Sequence, residues 1–93
     1  MKLSVCMATY NGEKYIQKQL ESILTQIELD DEVIISDDSS FDSTINIIKA
    51  FNDKRIKLHE GRKFQSPIFN FENAIKLSKG DVIILADQDD IWK

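Results

Sequence analysis

Cysteine, proline, histidine and tryptophan occur once each in the 93 residues, and glycine only three times. A lone Cys6 excludes an internal disulfide and a cysteine-based zinc site. Its neighbours, Val5 and Met7, read as the setting of a buried thiol that packs as a small hydrophobe. The shortage of glycine and proline, with 42% apolar and 30% charged residues, excludes a disordered or low-complexity chain. No phosphate loop of the G-x-G-x-x-G or Walker type occurs. No apolar run approaches the roughly 18 residues of a membrane span, and the start has no signal-peptide core. The cytoplasm is therefore the expected compartment, with no membrane span expected in these residues. Positive charge is also short: the net charge of −4 disfavours a nucleic-acid backbone as partner. A phosphorylated small molecule stays compatible, because a metal ion can supply the missing positive charge.

What is present is a regular alternation of apolar runs and amphipathic stretches, of a size for one small domain. Leu3 to Met7 reads as a buried strand broken at Tyr10-Asn11-Gly12. Ile16, Leu20, Ile23, Leu24 and Ile27 then mark one face of a helix ending before Asp30-Asp31. Glu32 to Ser36 is a second strand, followed by a polar loop, Asp37 to Ser40. The next helix has Asp42 or Ser43 as N-cap and Ile45, Ile48 and Phe51 inward. Arg55 to Glu60 alternates charged and apolar residues, the pattern of an edge strand, and Gly61 to Gln65 is a loop. Ser66 and Pro67 open a third helix that is expected to bury Ile68, Phe71 and Ile75. Asp81 leads into a fourth strand, Val82 to Ala86. The fold class is α/β: β-α-β-α-β-α-β with right-handed crossovers, a mainly parallel sheet and half of a doubly wound architecture. Strands one, two and four are apolar enough for a sheet covered on both faces.

Ligands of open α/β sheets bind beyond the carboxyl ends of the strands, near the point where strand order reverses. Three polar clusters fall on that edge: Ala8-Thr9-Tyr10-Asn11, Asp37-Asp38-Ser39-Ser40 and Asp87-Gln88-Asp89-Asp90. Strand order 3-2-1-4 would set them side by side. Three carboxylates within four positions repel one another unless a hard cation, Mg²⁺ or Mn²⁺, bridges them. Tyr10 can lie against a flat base, and Asp38 can accept from a base N–H or a ribose hydroxyl. With no glycine-rich loop, the metal would anchor the phosphates. That combination points to a nucleoside diphosphate.

Ser4 to Asn11, Val33 to Ser40 with Asp42-Ser43-Thr44, and Asn73 to Ile75 through Gly80 to Asp90 together resemble the N-terminal half of family 2 glycosyltransferases. The resemblance covers almost the whole chain and implies a Rossmann-like half of a GT-A fold. It also implies inverting, metal-dependent transfer from a UDP-, dTDP- or GDP-linked sugar to a saccharide or lipid-linked acceptor, as in bacterial polysaccharide assembly. By that resemblance Ala8, Thr9, Tyr10, Asp37, Asp38, Asp87 and Asp89 contact the nucleotide, and Asp89 and Asp90 ligate Mn²⁺ or Mg²⁺. The ending Asp87 to Trp92 is similar to rhamnosyltransferase-like members. The catalytic base and acceptor site are expected beyond Lys93, so that residues 1–93 form the nucleotide-sugar-binding portion of a longer domain.

A metal-dependent nucleotide-binding module without catalysis is the alternative that the same clusters would serve, and two further readings are weaker. A haloacid-dehalogenase-type phosphatase would place its Asp-x-Asp strand first, whereas here it comes last. A receiver-like binding module would carry its acidic pair after the first strand, whereas Asp37 and Asp38 follow the second.

Overall fold

The computed structural model describes residues 2–87. Its elements are β1 (Leu3–Thr9), α1 (Ile16–Leu24), β2 (Glu32–Asp38), α2 (Thr44–Ala50), β3 (Ile56–Arg62), α3 (Pro67–Leu77) and β4 (Val82–Asp87). The strands pair in parallel throughout, in the order β3-β2-β1-β4 expected from the sequence.

Helix α1 forms because Ile16, Leu20 and Ile23 stack on one face at helical spacing, and all three are buried. With Ile48 of α2 they cover Val5, Met7, Val33, Ile35 and Ala86 on one face of the sheet. Each such aliphatic side chain contributes roughly 1.5–3 kcal/mol by leaving water. The helix stops at Leu24, earlier than its apolar spacing implies, yet Ile27 still packs into the core. Its last carbonyl and one from the following turn are met from outside: Arg55 Nη1 donates to Leu24 O at 3.0 Å and to Ile27 O at 3.2 Å. Asp53 holds that guanidinium at 2.8 Å.

Among the described residues, the opposite face is covered by α3 alone, and here the expectation from sequence is corrected. Ser66 does cap the helix, accepting from Phe69 N, and Pro67 occupies its first turn. The buried residues, however, are Asn70 and Ala74, with Leu77 packed beside Cys6 and Ile34. Ile68 is 70% exposed and Ile75 37%. The reason is placement: α3 lies across β1 and β2, where small Ala74 permits close approach to the strands. Consequently no described element covers Ile83 and Leu85 on that face of β4 and both stay exposed, as does Val82 on the other face. Two strands are also longer than their apolar cores. β1 runs on to Thr9 and β2 to Asp38, so Asp37 and Asp38 lie within a strand and not in a loop. The edge strand β3 likewise extends to Arg62, with a register shift opposite Ser36 and Asp38.

The opposite ends of the strands are stitched by carboxylates. Asp31 accepts from Leu3 N at 2.8 Å and Glu28 N at 2.7 Å. Glu32 Oε2 accepts from Ser4 Oγ at 2.6 Å and Lys79 N at 2.7 Å. Gly80 fits there because a Cβ would lie 2.5 Å from Ser4 Oγ and 2.8 Å from Ser4 N. No helix among the described residues is long and apolar enough to cross a membrane.

Candidate functional site

Parallel register decides what meets at the carboxyl edge. Thr9 pairs with Asp37, and Ala8 pairs with both Ser36 and Asp87. The ends of β1, β2 and β4 therefore lie side by side, with Ala8 half-buried between its neighbours. Asp87 reaches this edge as the last residue of β4. Asp89 and Asp90, the expected metal ligands, lie outside the described residues. Among the described residues, no group of three or more His, Cys, Asp or Glu side chains is arranged to hold a metal ion.

Side chains alternate across a strand, so the two adjacent acids of β2 face opposite ways. Asp37 is almost fully buried beneath the loop that follows it. Its Oδ1 accepts from Thr9 Oγ1 and from Ser40 Oγ, each at 2.6 Å, and its Oδ2 from Ser40 N at 2.7 Å. Asp38 lies on the α3 side, 7% exposed. Among the described residues it makes one hydrogen bond, accepting from Phe64 N at 2.6 Å.

The loops after β1 and β2 are knitted together. Ser40 Oγ accepts from Asn11 N at 2.9 Å, and Asn11 Oδ1 accepts from Phe41 N at 3.0 Å. Thr44 Oγ1 accepts from Gly12 N at 2.8 Å. Asp42 accepts from Thr44 N at 2.9 Å and from Glu13 N at 3.3 Å, so it starts α2 without being the residue directly before it. Burial would raise the Asp42 pKa, but the Thr44 hydroxyl and these amides outweigh it and hold the carboxyl below its ordinary value. Asn11 and Ser39 both adopt left-handed backbone, at φ 48° and 52°.

Two aromatic rings stand over this base. Tyr10 is 52% exposed and Phe41 82%, with ring centroids 6.2 Å apart and planes at 79°. Edge-to-face geometry is favourable for such a pair, and both rings keep a large part of their surface exposed. Sequence reading singles out Tyr10 but passes over Phe41, whose signal is a large aromatic inside an otherwise polar loop. It also passes over Asn70 on α3, and takes Asn73, three residues on, only as part of a motif with no role at the site. Asn73 Nδ2 donates to Ser36 Oγ at 2.9 Å, and Asn70 Nδ2 donates to Thr9 O at 3.2 Å. Asn70 Oδ1 is buried beside the end of β1 with no hydrogen-bond partner among the described residues. Cys6 lies deeper in the sheet, where burial pushes its thiol pKa up, as expected of a packing residue.

The chain is similar to a dTDP-rhamnosyl transferase, RfbG, of Shigella flexneri, with 43% identity over 93 residues, 92% of this chain and 32% of the relative. It is 33% identical over 90 residues to WfgD of Escherichia coli, a UDP-Glc:alpha-D-GlcNAc-diphosphoundecaprenol beta-1,3-glucosyltransferase, covering 97% of this chain and 36% of the relative. The chain thus spans about a third of the length of these relatives. Among solved structures, S. aureus TarS 1–349 in complex with UDP superposes with a TM-score of 0.82 at 31% identity, over 98% of this chain and 28% of that one. The model of the family described as Glycosyl transferase family 2 matches residues 4–93, so the edge just described belongs to a member of glycosyl transferase family 2.

Proposed function

We propose that the carboxyl edge of the sheet binds the nucleoside diphosphate of a sugar donor. In this reading the protein transfers that sugar, with inversion, to a saccharide or lipid-linked acceptor in bacterial surface-glycan synthesis. The observation that carries it is the register: Thr9 beside Asp37 and Ala8 beside Asp87 set three polar strand ends in one row. The relatives named for dTDP-rhamnosyl and UDP-Glc transfer, and the neighbour solved with UDP, support the donor class.

Each residue has a role in this reading. The exposed ring of Tyr10 stacks on the base, and Asp38 accepts its ring N–H or a ribose hydroxyl through the carboxylate oxygen that has no partner among the described residues. Ala8 and Thr9 line the floor beneath the ribose, with Asp37 below them. Asp87 and Asp89 are assigned to the diphosphate in this reading. Asp89 and Asp90 would hold Mn²⁺ or Mg²⁺, since carboxylate oxygens are hard donors suited to either ion. When bound, that ion would neutralise the departing diphosphate. The general base and the acceptor site are assigned to no residue of this chain.

Calorimetric titration with UDP, dTDP and GDP, in Mn²⁺ and then in EDTA, tests the reading. Metal-dependent binding of one nucleotide, lost in Asp89→Ala and Asp90→Ala, is the expected result. Binding that ignores both EDTA and these substitutions would remove the metal site from the proposal.

A further inference from the structure

We infer that Asp37 is a positioning residue: it clasps the β1 end to the loop after β2 and does not itself touch the nucleotide. The inference rests on the nucleotide-site reading above and divides the work between two adjacent acids. An ionised carboxylate offers about four lone-pair positions. Thr9 Oγ1, Ser40 Oγ and Ser40 N take three of those of Asp37, whose relative exposure is only 1%. A ligand approaching from the open edge meets the partly exposed Ser40 before it meets Asp37.

The clasp has something to hold. Asn11 and Ser39 are in left-handed conformations that non-glycine residues adopt at a cost. Such conformations persist only where neighbouring contacts over-determine them. The continuous run Thr9–Asp37–Ser40–Asn11–Phe41 supplies those contacts, and it fixes Tyr10 between two of its members. Asp37 is the single acid in that run. Asp38, on the other face of β2, carries the acceptor oxygen left for the ligand.

The test uses the full chain and three variants, Asp37→Asn, Asp38→Asn and Thr9→Val/Ser40→Ala. It reads affinity for UDP, dTDP and GDP together with amide exchange at Asn11 and Ser40. Asparagine keeps the size of Asp37 but turns an amide toward Ser40 N. Asp37→Asn should weaken all three nucleotides by a common factor, about tenfold, and speed exchange at both amides. Placed in the Thr9→Val/Ser40→Ala background, it should cost less than about threefold more, because two of the three groups it acts through, the hydroxyls, are already gone and only Ser40 N remains. Asp38→Asn should instead alter the ratio among the nucleotides while leaving both amides protected. A changed nucleotide ratio in Asp37→Asn, with Asn11 and Ser40 protected as in the parent, would mean direct contact and overturn the inference. Should the parent bind no nucleotide, the site reading fails by itself. Amide exchange in Asp37→Asn then still decides the clasp: faster exchange upholds it, and unchanged exchange sinks it.

Discussion

Both ends of the sheet are rich in buried acids, yet they do different things. At the amino end Asp31 and Glu32 are consumed by the fold. Asp31 takes the amides of Leu3 and Glu28, while Glu32 takes Ser4, Lys79 and, at 3.6 Å, the ammonium of Lys2. At the carboxyl end Asp37 is consumed in the same manner, but Asp38 has one hydrogen bond among the described residues. At the same carboxyl edge stand two exposed aromatic rings. The lesson is that acidity does not mark a site; unused acceptor capacity beside an exposed aromatic surface does.

The contrast breaks most visibly at the amino end. Glu32→Ala removes the acceptor of the Ser4 hydroxyl and of Lys79 N, and should cost about 3 kcal/mol of stability. Chemical denaturation would register it as a lower midpoint with an unchanged slope. Gly80→Ala forces a methyl against the Ser4 backbone, and about 2 kcal/mol is expected in the same assay. At the other end the effect should move from stability to binding. Asp38→Asn keeps an oxygen for Phe64 N but offers a donor where the ligand needs an acceptor. Calorimetry should show about tenfold weaker nucleotide binding, or about 1.4 kcal/mol, with the denaturation midpoint nearly unmoved.

Acid sharpens the same comparison. The amides of Glu28 and Leu3 hold the Asp31 pKa below its ordinary value. Burial raises that of Glu32, but Ser4, Lys79 N and Lys2 together outweigh it and lower the carboxyl. Carboxyls depressed in the folded state stabilise it fully above their unfolded values, near pH 4. That stabilisation is lost as pH falls further, through the lowered folded values, because the unfolded chain takes up protons first. Unfolding monitored against pH should therefore steepen below about pH 4 in the parent, and Glu32→Gln should flatten it. The smallest effect is expected at Phe41, whose ring is largely in water. Phe41→Ala should shift stability by less than about 0.5 kcal/mol and weaken nucleotide binding by about twofold, through the lost contact with Tyr10.

Much of this was legible in the chain itself. Apolar runs and 3.6-residue spacing specify seven alternating elements, and short βαβ crossovers restrict how they can pair, so the parallel sheet follows from local pattern. The three polar clusters are readable for the same reason: each directly follows an apolar run, and strand ends of an α/β sheet share one edge. Other features needed the folded molecule. Ile68 and Ile75 look like a buried face, but which side of α3 turns inward depends on where Ala74 lets it settle over β1 and β2. Asp37 and Asp38 are the same residue type in adjacent positions, and only pleat and register separate a carboxylate bound to Thr9 and Ser40 from one with an oxygen to spare. Sequence determines periodicity, because that is a property of neighbours along the chain. Tertiary structure decides which polar atoms are already satisfied, because their partners lie some 30 residues away on another strand or loop.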